Sequence, residues 1–77
     1  MTNLIYIVSF HTADPRREAL RGGNWGAYTK RERAEKEIRR LTALYNETIY
    51  GQEYEKGLYI YATDKGEWVI EPILVDD

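Results

Sequence analysis

One amphipathic helix among segments of strand character is the feature that most limits how this chain can fold. The helix is marked by apolar residues that recur at spacings of four, three and four: Ala34, Ile38, Leu41 and Tyr45. The preceding Thr29-Lys30-Arg31-Glu32 fits a capping box, so we predict a helix from Lys30 to about Tyr45. Because one helix can cover only one face of a sheet, we expect the other face to be open.

Two apolar segments predict the body of the sheet. Leu4 to Phe10 is β-branched and aromatic and is apolar on both faces, as in a central strand. Leu58 to Thr63 alternates and is followed by the hairpin turn Asp64-Lys65-Gly66, so a return strand begins near Trp68. Pro72 cannot donate to a β-ladder, and we therefore expect this last strand to lie at a sheet edge or to bend there.

The remaining segments are less regular. Asp14-Pro15 and Gly22-Gly23 are helix start and stop signals, which predict one or two helical turns over Pro15–Arg21. Trp25 to Tyr28 is a candidate short strand, and Asn46 to Gly57 is predicted as a loop with at most a brief extended piece.

The expected fold is therefore α+β. It is a small two-layer sandwich in which one main helix packs on one face of a three- to four-stranded, mostly antiparallel sheet. The predicted order is strand, short helix, candidate strand, long helix and hairpin. With 77 residues, the chain has room for a single domain and one modest core.

Several classes of function lack support in the composition. The chain has no Cys, and His11 is its one histidine, so disulfides and a Cys/His zinc site are excluded. His11 precedes Asp14 closely, but general acid–base catalysis also needs a pocket and a positioned partner, so we interpret His11 as a loop residue. We predict a non-enzymatic protein without cofactor or metal.

No segment suggests contact with a membrane. No run approaches the roughly 20 apolar residues of a transmembrane helix, and signal or lipidation motifs are absent. We expect a soluble, cytoplasmic protein.

Seven tyrosines suggest a binding role, because tyrosine combines large contact area with a polar tip and is enriched at interfaces. If Leu58, Ile60 and Ala62 face the helix, the neighbouring tyrosines face outward. Two interpretations stay open, namely cross-strand pairs that stiffen the sheet and a contact surface for another protein or for a second copy. The predicted partner-binding residues are Tyr6, Tyr59 and Tyr61, with Trp25, Arg16, Arg17 and Arg21 at the rim.

Nucleic-acid binding is the alternative function. Arginines beside an aromatic residue can hold phosphates and stack a base, and the candidates are Arg16, Arg17, Arg21, Arg39, Arg40 and Trp25. The net charge of −2 argues against it, although residues 1–40 carry nine Lys and Arg against five Asp and Glu. A solvated loop with Trp25 folded into the core is the competing interpretation.

Residues 41–77 carry two basic and eight acidic residues. The acidic set that could imitate nucleic-acid phosphates is Glu47, Glu53, Glu55, Glu67, Glu71, Asp76 and Asp77. Because such mimics are far more acidic than −2, we interpret most of these charges as aids to solubility.

In general character the chain resembles the small accessory proteins of bacteriophages and other mobile elements. The resemblance rests on short length, the lack of Cys, many aromatic and charged residues, and the order strand, helix and hairpin. It includes no specific motif and assigns no functional residue. It implies a protein that binds a host enzyme or defence complex and inhibits or modulates it, and this is the function that we predict.

Overall fold

The computed structural model describes residues 2–12 and 23–76. Its elements are β1 (Thr2–His11), β2 (Gly23–Tyr28), α1 (Arg31–Leu44), β3 (Ile49–Glu55), β4 (Leu58–Thr63) and β5 (Gly66–Asp76). The strands form one antiparallel sheet in the order β2-β1-β5-β4-β3. The α+β class is confirmed, but the sheet has five strands and not three or four. The short helix predicted over Pro15–Arg21 lies outside the described residues.

Strands β1 and β5 form the centre of the sheet. They pair without interruption from Thr2 opposite Asp76 to His11 opposite Glu67. The central position predicted for β1 is confirmed, since β2 and β5 flank it. Of the two alternatives predicted for the last strand, an edge position or a bend at Pro72, the edge position is wrong for β5 as a whole, because β4 pairs with it as far as Ile70. Pro72 lies beyond that last pair, where β5 needs no donor toward β4.

Strand β3 is the element that the sequence did not reveal. It forms the outer edge of the sheet, and every residue from Gln52 to Glu55 is exposed. An exposed edge strand needs no alternation of apolar residues, so the segment has the composition of a loop. Lys56 and Gly57, with φ of 53° and 81°, form the two-residue turn into β4. Lysine is unusual at positive φ, so the sequence Lys56-Gly57 does not indicate a hairpin turn.

The helix agrees with its predicted bounds to within one residue at each end. The capping box is wrong, because the N-cap is Lys30 and its side chain makes no capping hydrogen bond. At the other end, the Lys65 ammonium donates to the carbonyl of Tyr45 at 2.9 Å. A cation that donates to a carbonyl at this end interacts favourably with the helix dipole.

The core lies between α1 and the centre of the sheet. The helix contributes its predicted stripe, and the strands contribute the buried side chains Val8, Phe10, Tyr61, Trp68 and Ile70. The rings of Phe10 and Trp68 lie 4.8 Å apart between centroids. The Trp68 indole N–H donates to a carboxylate oxygen of Glu47 at 3.0 Å, and both residues are buried. Glu47 is therefore a core residue and not part of an acidic surface.

We expect Gly66→Ala to destabilise the fold. The β4–β5 turn ends at Gly66 with φ of +154°, and a Cβ there would lie 2.6 Å from the His11 carbonyl oxygen and 2.7 Å from Phe10 Cζ. The free energy of unfolding should fall by more than about 1 kcal/mol. Urea denaturation followed by tryptophan fluorescence measures it.

Gly51→Ala is the matched control, because its Cβ would meet Ala62 Cβ at an ordinary 3.8 Å. It should change stability by less than about 0.5 kcal/mol. Equal effects of the two substitutions would contradict the close approach at Gly66.

Candidate interaction surfaces

The tyrosines of β4 lie on the covered face of the sheet. Tyr61 pairs with Trp68 and Tyr59 pairs with Ile70, and both partners are fully buried under α1. The prediction that Tyr59 and Tyr61 face outward is therefore wrong. In β4, both Leu58, Ile60 and Ala62 on one face and the tyrosines on the other are apolar enough to face a core. A wrong choice between these two faces places every side chain of the strand on the wrong side of the sheet.

Instead, Tyr54, Tyr59 and Tyr61 form a tyrosine cluster that links the sheet to α1. The Tyr61 hydroxyl donates to Glu35 Oε1 at 2.8 Å. The Arg31 guanidinium lies over the Tyr59 ring, 4.9 Å from its centroid, and the Tyr54 and Tyr59 centroids are 4.7 Å apart. Arg31 Nε also forms an ion pair with Glu35 Oε1 at 3.5 Å. These tyrosines thus have a packing role on this side of the sheet.

Two other predicted contact residues also lie beside the core. Tyr6 is half-buried and packs against it. The Trp25 ring meets Trp68 and Tyr45 edge-on, at centroid distances of 5.6 and 5.9 Å. This is the packing expected if Trp25 folds into the core. The predicted rim residues Arg16, Arg17 and Arg21 lie outside the described residues.

The face opposite α1 is aliphatic. This open face comprises the outward-pointing residues of β1, β4 and β5: Ile5, Ile7, Leu58, Ile60, Ala62, Val69 and Ile73. Pairing places Ser9 and Ile60 on either side of Val69. These neighbours bury Val69, although it lies on the uncovered face. Most of the other open-face side chains are half-buried, and none of them packs beneath the helix.

Exposed carboxylates lie within this aliphatic row and along one edge of it. Glu67 and Glu71 lie on β5, opposite His11 and Ile7 of β1, and Glu53 and Glu55 lie on β3, opposite Ile60 and Leu58 of β4. Among the described strand residues on this side there is no Lys or Arg. Four residues of the predicted acidic set are thus gathered on one surface.

The outer side of the molecule has the opposite charge. Exposed cations project from α1 and from the residue before it: Lys30, Arg33, Lys36, Arg39 and Arg40. The helix directs its apolar stripe into the core, so its exposed charged residues face away from the sheet, whereas Arg31 and Glu35 contact the tyrosine cluster. The fold thereby separates a basic helix side from an acidic open face.

Comparison with models of protein families, with curated proteins and with solved structures finds no match. Among residues 2–12 and 23–76, no helix is both long enough and apolar enough to cross a membrane. In the same part of the chain, no three His, Asp or Glu side chains gather closely enough to hold a metal ion.

We expect the stability of the protein to depend on Tyr61 at alkaline pH. Burial, and next the hydrogen bond to Glu35, raise the pKa of the Tyr61 hydroxyl. The contribution is therefore complete below the unfolded tyrosine pKa of about 10, and it is lost as the pH rises toward the folded value. In Tyr61→Phe, the unfolding free energy should be about 1 kcal/mol lower at neutral pH and should fall less steeply above pH ~10.

Tyr50→Phe is the control for the alkaline experiment, because Tyr50 is 70 % exposed. Urea denaturation at a series of pH values should give this variant the wild-type profile. The same alkaline slope in both variants would contradict the role of the Tyr61 hydroxyl.

Proposed function

We propose that this chain is a cytoplasmic, non-enzymatic module that binds another protein through its open face. The observation that supports this is the aliphatic row of β1, β4 and β5, which no described element covers and in which the exposed Glu67 and Glu71 alternate with Val69 and Ile73. Protein interfaces commonly combine apolar contacts with charged and polar groups. Apolar side chains left on an uncovered sheet face of so small a protein favour an interaction site.

The charges of the open face specify the partner's chemistry. Glu53, Glu55, Glu67 and Glu71 have one sign, so the complementary surface carries Lys or Arg beside apolar side chains. Such exposed charges steer association and make it sensitive to salt, whereas the buried apolar contacts provide most of the affinity. We infer that Ile7, Ile60 and Ile73 supply these contacts.

A second copy of the chain is a poor occupant of the open face. Stacking two open faces would bring the glutamates of both copies around the same apolar centre. Like charges placed together oppose association, most strongly at low salt. We therefore favour a different protein with a basic surface over the homodimer.

The role that we propose is inhibition or modulation of a host enzyme or defence complex. A module of this kind acts by covering a basic surface that its target needs, which requires no chemistry of its own. The proposal agrees with the general resemblance to phage accessory proteins. The aliphatic residues of the open face take the place of Tyr59 and Tyr61 as the proposed principal contacts, because Tyr61 is only 4 % exposed.

Charge reversal on the open face tests this function. We expect the double variant Glu67→Lys and Glu71→Lys to remain folded, because both side chains are exposed, and to lose partner binding about tenfold or more. The measurement is affinity capture from host lysate, with each captured protein quantified by mass spectrometry and circular dichroism confirming the fold.

Glu32→Lys with Asp76→Lys is the matched control. It makes the same change in net charge at exposed residues away from the open face. The control should retain the proteins that the open-face variant loses. The proposal fails if both variants retain the same proteins, or if the wild-type chain captures none above an unrelated control protein.

A further inference from the structure

A basic groove lies between α1 and the edge strand β2, away from the open face. Its lining residues are Tyr28, Arg33, Lys36, Glu37 and Arg40, and its volume is about 440 Å³. The helical residues lie three, four and seven positions after Arg33, so all of them project from one side of α1. The three cations are exposed, whereas Glu37 and Tyr28 are half-buried.

Among the described residues that line the groove, the one carboxylate is already paired. Arg40 Nε lies 3.0 Å from both carboxylate oxygens of Glu37, and its terminal nitrogen completes the contact. The hydrogen bond from Arg40 lowers the pKa of Glu37, so this group stays ionised and bound to the guanidinium. Three cations against one carboxylate leave the groove with an excess of positive charge.

The three cations form one row along α1. Lys36 follows Arg33 by three residues and precedes Arg40 by four, so their side chains are neighbours on the helix surface. Glu32, four residues before Lys36, and Glu37, four residues after Arg33, offset part of the repulsion between them. An anion held along the row relieves the remainder.

Tyr28 adds an aromatic surface to the cations. Its side chain lies across Gly26 of the same strand, where a Cβ would come within 2.9 Å of the Tyr28 hydroxyl oxygen. Burial, and next the charge of Glu37, raise the pKa of this hydroxyl, so it remains a hydrogen-bond donor at neutral pH. Gly26 thereby gives the ring room to lie against the strand at the margin of the groove.

We propose that this groove binds a single strand of nucleic acid. Arg33 and Lys36 contact successive phosphates, Arg40 adds the guanidinium N–H groups that its pair with Glu37 does not use, and Tyr28 stacks on a base. A positively charged groove with an aromatic stacking residue is the general arrangement of single-strand binding sites. A single strand fits better than a duplex, because the bases of a duplex are stacked on each other and offer no free face to Tyr28.

This site differs from the one suggested by sequence. It shares Arg40 with the predicted set, but Trp25 packs against Trp68 and Arg39 does not line the groove. It is also independent of the proposed protein partner, because the open face lies on the other side of the sheet and would repel phosphates.

Fluorescence anisotropy of a labelled oligothymidine of about 12 nucleotides tests the inference. We expect binding at low salt that weakens as salt is added. Arg33→Gln with Lys36→Gln should weaken it tenfold or more and lower the slope of log K against log salt by about 0.7 for each lost phosphate contact. Tyr28→Leu should weaken binding about fivefold or more without changing that slope.

Lys30→Gln with Arg39→Gln is the matched control, since it removes two exposed cations that do not line the groove. It should bind the oligonucleotide more tightly than the groove variant does. The inference is overturned if the wild type does not bind at low salt, or if both double variants lose affinity equally. It is also overturned if Tyr28→Leu binds like the wild type, which would indicate contact with any polyanion.

Discussion

The packing of Trp68 determines the arrangement of the rest of the molecule. Its ring lies beneath α1 against Phe10 and Trp25, and its indole N–H is satisfied by the buried carboxylate of Glu47. A buried indole needs such an acceptor, and the segment between α1 and β3 supplies it. Once this side chain is under the helix, strand pairing fixes the face of every other residue in β1, β4 and β5.

The two proposed surfaces follow from that choice of face. The tyrosines that would have been outside are drawn under or beside the helix, where Glu35 and Arg31 contact them. The aliphatic residues of the alternate positions are left on the far side with the glutamates. The cations of the helix project in the other direction, so a protein with a net charge of only −2 has two surfaces of opposite sign.

The sequence predicts what depends on strong local patterns. The apolar stripe of α1 and the doubly apolar β1 were both identified, because their periodicity reflects burial directly. The pattern of β4 predicts the wrong face, because Leu58, Ile60 and Ala62 are as suitable for a core as the tyrosines are. The pairing of Tyr61 with the buried Trp68 on β5 determines which face is covered. β3 was missed because an exposed edge imposes no pattern. The charged residues of the basic groove lie at helical spacing in α1, but the sequence does not show that Tyr28 of β2 packs beside them.

The pairing of β1 with β5 also has a consequence for how the protein is made. These strands exchange the longest ladder of the sheet, yet β1 is translated well before β5. During synthesis β1 leaves the ribosome before β5, and its apolar residues stay unpaired until the later strands have emerged. The helix and the β3–β4 hairpin can form from local contacts, but closure of the sheet is a late, long-range event. Pairing of β1 with β5 is therefore expected to limit the rate at which the sheet forms.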